Sequence, residues 1–308
     1  MLLNKFNLKL LTLLAIIHIA AIFLVPLVLF FTQSAWAVII FLPSLLLTHT
    51  TWALIHEGIH NNFSSNSQKN LFYSRMLAMV FHLNFETLKF GHLQHHRYNR
   101  QDCDLTDGYD SLIKNKFIIF YKNLFYYLHI SIGLYIFELL GPLVLLLPQK
   151  LVLLILDKIL GADHPYIKNG KILLLKPKRL KNIKIDNIIN ISLLIIITAL
   201  YSYSNFLWLY LVFLLIRGLL ISSTDNLPHY GACLDNIKGA YNLKAPLWWQ
   251  KMILNFNYHR IHHKYPNLPW HLLPIKYNED QDYFDHHYFR IYLQQWWGII
   301  SKDQLNKN

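Results

Sequence analysis

The chain has 308 residues, of which 54% are hydrophobic and only 15% charged, against about 25% charge in a soluble globule. That deficit argues against an ordinary water-soluble domain and for a membrane protein. Lys and Arg number 29 against 17 acids, a formal net charge of +12, which in so oily a chain fits cytoplasmic loops and anionic lipid headgroups; no nucleic-acid-binding motif accompanies the excess.

Residues 8–31, "LKLLTLLAIIHIAAIFLVPLVLFF", form the first stretch long enough to span a bilayer, whose core of about 30 Å needs about 20 helical residues. The stretch lacks an A-x-A-like cleavage site, and another apolar run follows at once. It is therefore expected to stay as a span, not to act as a signal peptide. The second span is expected at 35–55, after the turn Thr32-Gln33-Ser34. A later pair, 187–203 and 205–224, is split by Ser202-Tyr203-Ser204-Asn205.

Between the two pairs, 117–160 is apolar but interrupted by Gly141-Pro142 and Pro148. Residues 168–184 carry seven Lys or Arg, and Lys5 and Lys9 open the chain; both regions are expected in the cytoplasm. Residues 56–116 then return there too, so 117–160 must cross zero times or twice. A kinked re-entrant or interfacial segment is the expectation. The expected fold is an all-α integral membrane protein with four transmembrane helices in two hairpins, that re-entrant segment, and a cytosolic helical cap. The cap would comprise 56–116 and 225–308 and hold a histidine-rich di-metal site. Residues 1–308 read as one domain, both termini cytoplasmic, without repeats or low-complexity tracts.

The chain has 17 histidines, and nine fall into a pattern. His56 and His60 lie in "HEGIH" at the end of span two. His92, His95 and His96 lie in "HLQHH", and His259, His262 and His263 in "HRIHH", two copies of H-x-x-H-H. His229 stands in "TDNLPHYG", just after the fourth span. At the frequency 17/308 one H-x-x-H-H is expected roughly 0.05 times by chance, counted against the template. On a helix, positions i, i+3 and i+4 share a face, so each cluster offers two or three ring nitrogens to one point. Imidazole suits Fe, Zn, Cu and Ni. Nine converging imidazoles exceed what one tetrahedral zinc uses and suit two metals of higher coordination number. Pro228 should end the last helix and turn His229 toward the cap, with Gly231 permitting a close or left-handed turn.

His18, His49, His82, His129 and His164 fit no such spacing and read as structural or interfacial. His286 and His287 read as a surface pair, and His271 lies in a Pro-rich turn. Cys103 and Cys233 are isolated and suggest neither a thiolate metal site nor a disulfide framework. Asp102, Asp104 and Asp107 could orient ligand histidines by accepting their ring N–H bonds.

Together "HEGIH", "HLQHH" and "HRIHH", in this order around two membrane hairpins, resemble the three histidine boxes of the integral-membrane fatty acid desaturase and hydroxylase superfamily. "HHKYPNLPW" is similar to the segment that follows the third box, and "NLPHYG" to the extra histidine motif after the last span. The resemblance covers residues 36–275. It implies a cytoplasmic di-iron centre that uses O2 for C–H chemistry on a lipid-like chain. Carried over, the metal ligands are His56, His60, His92, His95, His96, His229, His259, His262 and His263. Asn226 resembles an asparagine that reaches the metal through water in some members. The implied activity is desaturation or hydroxylation of a fatty acyl lipid, with an alkane- or terpenoid-type hydroxylase as the alternative within the superfamily.

Two other classes compete. "HEGIH" is also H-E-x-x-H, the spacing of a zinc peptidase with Glu57 as general base, but an intramembrane zinc protease leaves both H-x-x-H-H clusters without a role. A metal transporter expects ionisable ligands within its spans, which here hold few: His18 and His49, with Arg217 near an end. The chain shows no haem-binding H-P-G-G, no C-x-x-C and no G-x-G-x-x-G. Electrons are thus expected from a separate ferredoxin, rubredoxin or cytochrome. Arg97, Arg100, Arg260 and Lys264 are expected to meet an acidic carrier or lipid phosphates.

Overall fold

The structure is a computed structural model that describes residues 2–161 and 163–306; Met1 and the last two residues, and with them the extreme ends of the chain, lie outside the described residues. It is mostly helical, as expected. Among the described residues four helices are long and apolar enough to cross a membrane: Lys5–Thr32, Lys116–Leu146, Pro177–Tyr203 and Leu207–His229. The number matches the sequence expectation, but the set differs at two places.

The run expected to be the second span is a bent pair, Val38–Leu46 and Thr48–Ile59, turned by 43°. The cause lies in its hydroxyls. Thr48 Oγ1 donates to the Ser44 carbonyl at 3.0 Å, and Thr51 Oγ1 donates to the Leu47 carbonyl at 2.9 Å. Such back-bonding to i−4 competes with the helix ladder and bends it.

The other difference is Lys116–Leu146, where a re-entrant segment was expected. Asn115 caps its start by accepting from the Phe117 N–H at 2.9 Å. A π turn at His129–Gly133 and a 3-10 turn at Gly141–Leu146 carry the helix through its weak points. Pro142 falls in the first turn of the 3-10 segment, where a missing N–H costs nothing, so Gly141-Pro142 does not break the helix. The break comes at Pro148, followed by the separate helix Gln149–Leu160. The third long helix likewise starts at Pro177, upstream of the expected 187, and takes in half of the basic stretch.

The chain divides into two compact units, residues 1–91 with 136–218, and residues 92–135 with 219–308. In the first unit an apolar core joins Val25, Leu29, Phe41, Ile197, Tyr201 and Phe213. A polar knot lies beside it. The fully buried Arg217 guanidinium sits 4.4 Å from the ring centroids of both Phe81 and Phe213 and donates to Ser44 Oγ at 3.3 Å. His18 spans Ser44 Oγ at 2.6 Å and Thr51 Oγ1 at 2.7 Å, and His82 Nε2 lies 3.0 Å from Tyr210 Oη. These histidines are structural, as expected. Further along, Asp186, 1% exposed, pairs with Arg75, whose Nε lies 3.0 Å from Asp186 Oδ2.

The second unit packs Tyr126, Ile130, Leu227, Tyr288 and Ile291 into its core. Two short parallel strand pairs pin its loops: Gly108–Tyr109 with Ile300–Ser301, and Leu243–Lys244 with His286–His287. Tyr126 and Tyr127 donate their hydroxyls to the carbonyls of Gln295 and Trp296 at 2.9 and 3.2 Å. The C-terminal turn is thereby fixed to the helix that opens at Lys116.

Asp186→Ala should leave the Arg75 guanidinium without its counter-ion. Because Arg75 keeps some solvent, the cost should be about 2–3 kcal/mol, below the 3–5 of a fully buried pair, read as an earlier midpoint in SDS-titrated unfolding.

Candidate metal centre

The first box belongs to the first unit. Residues 48–59 form a helix that is buried on every side, and the i, i+4 spacing brings the His56 and His60 rings to 4.9 Å between centroids. Gly58 between them is needed for packing. A Cβ there would stand 2.1 Å from Ser74 Oγ, so only glycine lets the helix Ser67–Val80 approach this closely. Asn70 seals the crossing by donating to the Gly58 carbonyl at 2.8 Å.

The second unit gathers the other seven histidines into two groups. His92, His95 and His96 ride on the helix Phe85–Tyr98, and His259, His262 and His263 on the short helix His259–Lys264. His229 closes a 3-10 turn, Leu227–His229, that follows the last long helix. Gly231 then takes φ +73°, the left-handed turn the sequence suggested. One group is His95, His229, His259 and His263, whose four ligand nitrogens can all lie within 4.8 Å of one another. The other comprises His92, His96 and His262, with Nε2 to Nε2 distances of 2.9 Å from His96 to each neighbour. Each H-x-x-H-H box was expected to offer its rings to one point; instead both boxes divide between the two groups, and in opposite senses. The second gives its i, i+4 pair to the trio and its third ring to the quartet, whereas the third gives its i, i+4 pair to the quartet and its third ring to the trio.

The hydrogen-bond network sets the tautomers. His229 Nδ1 lies 3.0 Å from the Gly239 carbonyl, which can only accept. That nitrogen therefore carries the proton, and a neutral His229 turns the Nε2 lone pair inward. His95 Nδ1 lies 2.8 Å from Asp104 Oδ2 and likewise carries its proton there. Yet the two Nε2 atoms are 3.1 Å apart, and His259 Nε2 is 3.0 Å from that of His229. Two lone pairs at this distance repel, so a proton on one ring or a metal ion must lie between them. Nitrogens about 2.1 Å from one cation, at right angles, stand about 3 Å apart, so the donor set fits a metal ion.

Burial opposes charge on His95, but the Asp104 carboxylate beside it outweighs burial and raises its pKa: the pocket stabilises positive charge here, as a proton on the ring or as a cation beside it. Burial, then the neighbouring His96, His259, His229 and His95, hold the His263 pKa well below the ordinary value. It stays neutral, as a metal ligand must.

A family profile described as fatty acid desaturase matches residues 34–294, most of the chain and all four histidine motifs. The chain belongs to the fatty acid desaturase family. No curated protein and no solved structure matches it. As a desaturase-family member it is an oxidoreductase of the membrane desaturase and hydroxylase type, with helices fit for an integral membrane protein.

Around these histidines, other expectations are redistributed. Of the three acids near the second box, Asp104 is the one that holds a box histidine, His95. Asp102 is exposed and pairs with Lys302; Asp107 is buried against Arg100. Two of the cations expected to meet a carrier are internal. Arg100 is 3% exposed in its side chain, and Arg260 is forked between Asp282 and Asp285 at 3.1 and 2.6 Å, which steadies the third box. Lys264 pairs with Asp280, while Arg97 is exposed. Asn226 Oδ1 accepts from Thr106 Oγ1 at 3.0 Å, and its Nδ2 donates to Gln295 Oε1 at 3.1 Å. His271 sits in the turn Trp270–Leu272, and His287 is exposed. The residue that sequence reasoning missed is Gly239. It acts through its backbone carbonyl, which leaves no trace in residue type.

Asp104→Asn should weaken metal binding by about 10–100-fold, the usual loss when a ligand histidine loses its outer partner. Asp102→Asn should leave binding unchanged. Cobalt(II) titration of metal-stripped protein, followed by absorbance, measures both.

Proposed function

We propose that the protein is an O2-dependent di-iron enzyme that desaturates a fatty acyl lipid with electrons from a separate carrier. The observation that carries this is the quartet of ring nitrogens gathered within 4.8 Å, with His95 and His229 oriented through their Nδ1 contacts, in a chain of the fatty acid desaturase family. Nine histidines serve as ligands: His95, His229, His259 and His263 for one ion, and His92, His96 and His262 for the other, with His56 and His60 of the first box supplying the remainder. In this reading H-E-x-x-H at 56–60 is a histidine box, not a peptidase motif. Bound iron would supply the oxidising power towards an unactivated methylene that no side chain possesses.

The chain's own residues bind, orient and shield. Asp104 and the Gly239 carbonyl hold the Nδ1 protons of His95 and His229, so that each Nε2 faces the ion. His263, kept neutral by burial, donates without first losing a proton. Arg260, anchored by two carboxylates, fixes the short helix from which the third box projects. The Asn226 amide, proposed to reach the metal through water, is held by Thr106 and Gln295. The overall conversion takes O2, two electrons and two protons, and returns an alkene and two waters. A ferredoxin, rubredoxin or cytochrome of the host would deliver the electrons, and the cap with both chain ends is proposed to face the cytoplasm.

Purified protein should hold about two iron equivalents per chain by metal analysis; stoichiometric zinc without iron-dependent turnover would sink the proposal. Lipids of a host expressing the wild type should gain unsaturated acyl chains that the His262→Ala host lacks. Alcohols in their place would indicate hydroxylation. His229→Gln keeps a hydrogen-bonding side chain but no imidazole. It should lose iron and turnover, and full activity in it would remove His229 from the ligand set.

A further inference from the structure

His229 differs from the other members of its quartet. His95, His259 and His263 project from regular helices, but His229 comes from a three-residue turn after a helix end. Such a turn needs outside support to hold an imidazole in one orientation. Two buried side chains grip it. Arg100 Nη1 donates to Asp107 Oδ1 at 2.6 Å, and Arg100 Nη2 donates to the Ala232 carbonyl at 2.6 Å. The other oxygen of Asp107 accepts from the Gly231 N–H at 2.7 Å. Each partner of the pair thus holds one residue of the backbone that follows His229.

The same arginine also bears on the other side of the ring. Gly239, whose carbonyl takes the His229 Nδ1 proton, lies against the Arg100 stem. A Cβ on Gly239 would stand 2.3 Å from Arg100 Cγ and 2.2 Å from the Asp235 carbonyl. Arg100 itself adopts φ +63°, an unusual backbone state for a non-glycine residue. A guanidinium suits this place because its planar fork can serve a carboxylate and a carbonyl together.

We infer that Arg100 and Asp107 are positioning residues for His229, a clamp that sets the orientation of this one ligand and so the affinity of the quartet for its ion. The inference rests on the quartet being a metal site. It gives Arg100 a role that no docking carrier could share, since the side chains of the pair are 3% and 1% exposed.

The test uses full-length protein in detergent, stripped of metal and titrated with cobalt(II). Wild type should bind two equivalents. Arg100→Lys keeps the charge but loses the second donor to Ala232. It should weaken one equivalent about tenfold or more, in line with losses at outer-layer partners, and leave the other unchanged. Gly239→Ala, which leaves the ion pair chemically intact, should weaken the same equivalent, and it carries the test if Arg100→Lys does not fold. Adding either change to His229→Ala should weaken binding no further. The inference is overturned if the variants bind both equivalents as wild type does, if both equivalents weaken alike, or if the losses add to that of His229→Ala. Wild type that binds no cobalt sinks the metal-site reading itself; wild type that binds two, with unaltered variants, sinks the clamp alone.

Discussion

The structure turns on lone pairs that must not be left facing one another. Several buried imidazoles point their Nε2 atoms inward at about the spacing of ligands on one cation, and for His95 and His229 the proton is held at the far nitrogen by a fixed acceptor. Without a positive charge this is a repulsive arrangement in a place of low dielectric, where such repulsion is poorly screened. With one, the rings of His95 and His229 are already aimed. The second-box helix, the short third-box helix and the turn after the last long helix can all be understood as supports for that one condition.

Supports of this kind are costly, and the polar side chains around the boxes show how the cost is offset. Arg260 lies between two aspartates, and Arg100 is bonded to a carboxylate and a carbonyl. Buried pairs of this sort add little to net stability against a well-packed apolar alternative. Their contribution is geometric, since each joins segments distant in sequence with directional bonds. In the first unit Arg217 follows another course. It has no carboxylate partner among the described residues and lies between two aromatic faces, where the ring quadrupoles stabilise the cation.

Much of this was legible in the sequence because histidine spacing and helix periodicity are local signals. H-x-x-H-H placed rings on one side of a helix, Pro228 marked the end of the last long helix, and Gly231 marked the left-handed turn. What was not legible depended on partners far along the chain. Gly141-Pro142 looked like a break, yet a 3-10 turn placed the proline where its missing N–H was harmless. Arg100 and Arg260 looked like surface cations because their carboxylates, Asp107, Asp282 and Asp285, could not be paired with them by spacing. Gly58 looked like a neutral spacer until Ser74 was found against it. The Gly239 carbonyl had no signature at all, since every residue has one.

The opposite division of the two H-x-x-H-H boxes constrains how such a chain can evolve. Each of these two helices contributes rings to both groups of histidines, so each is a ruler for the pair of them. A one-residue insertion between His92 and His95, or between His259 and His262, would rotate part of the box by about 100° on a 3.6-residue helix and disturb both groups at once. A shift in either box is not repaired within one group, because each group draws rings from both boxes, and the quartet from the His229 turn as well. Between the boxes the constraint falls on single positions instead, such as Asp104 and Gly239, which hold ring protons of His95 and His229. Within each box the count of residues is frozen, even where their identities at the spacer positions are not.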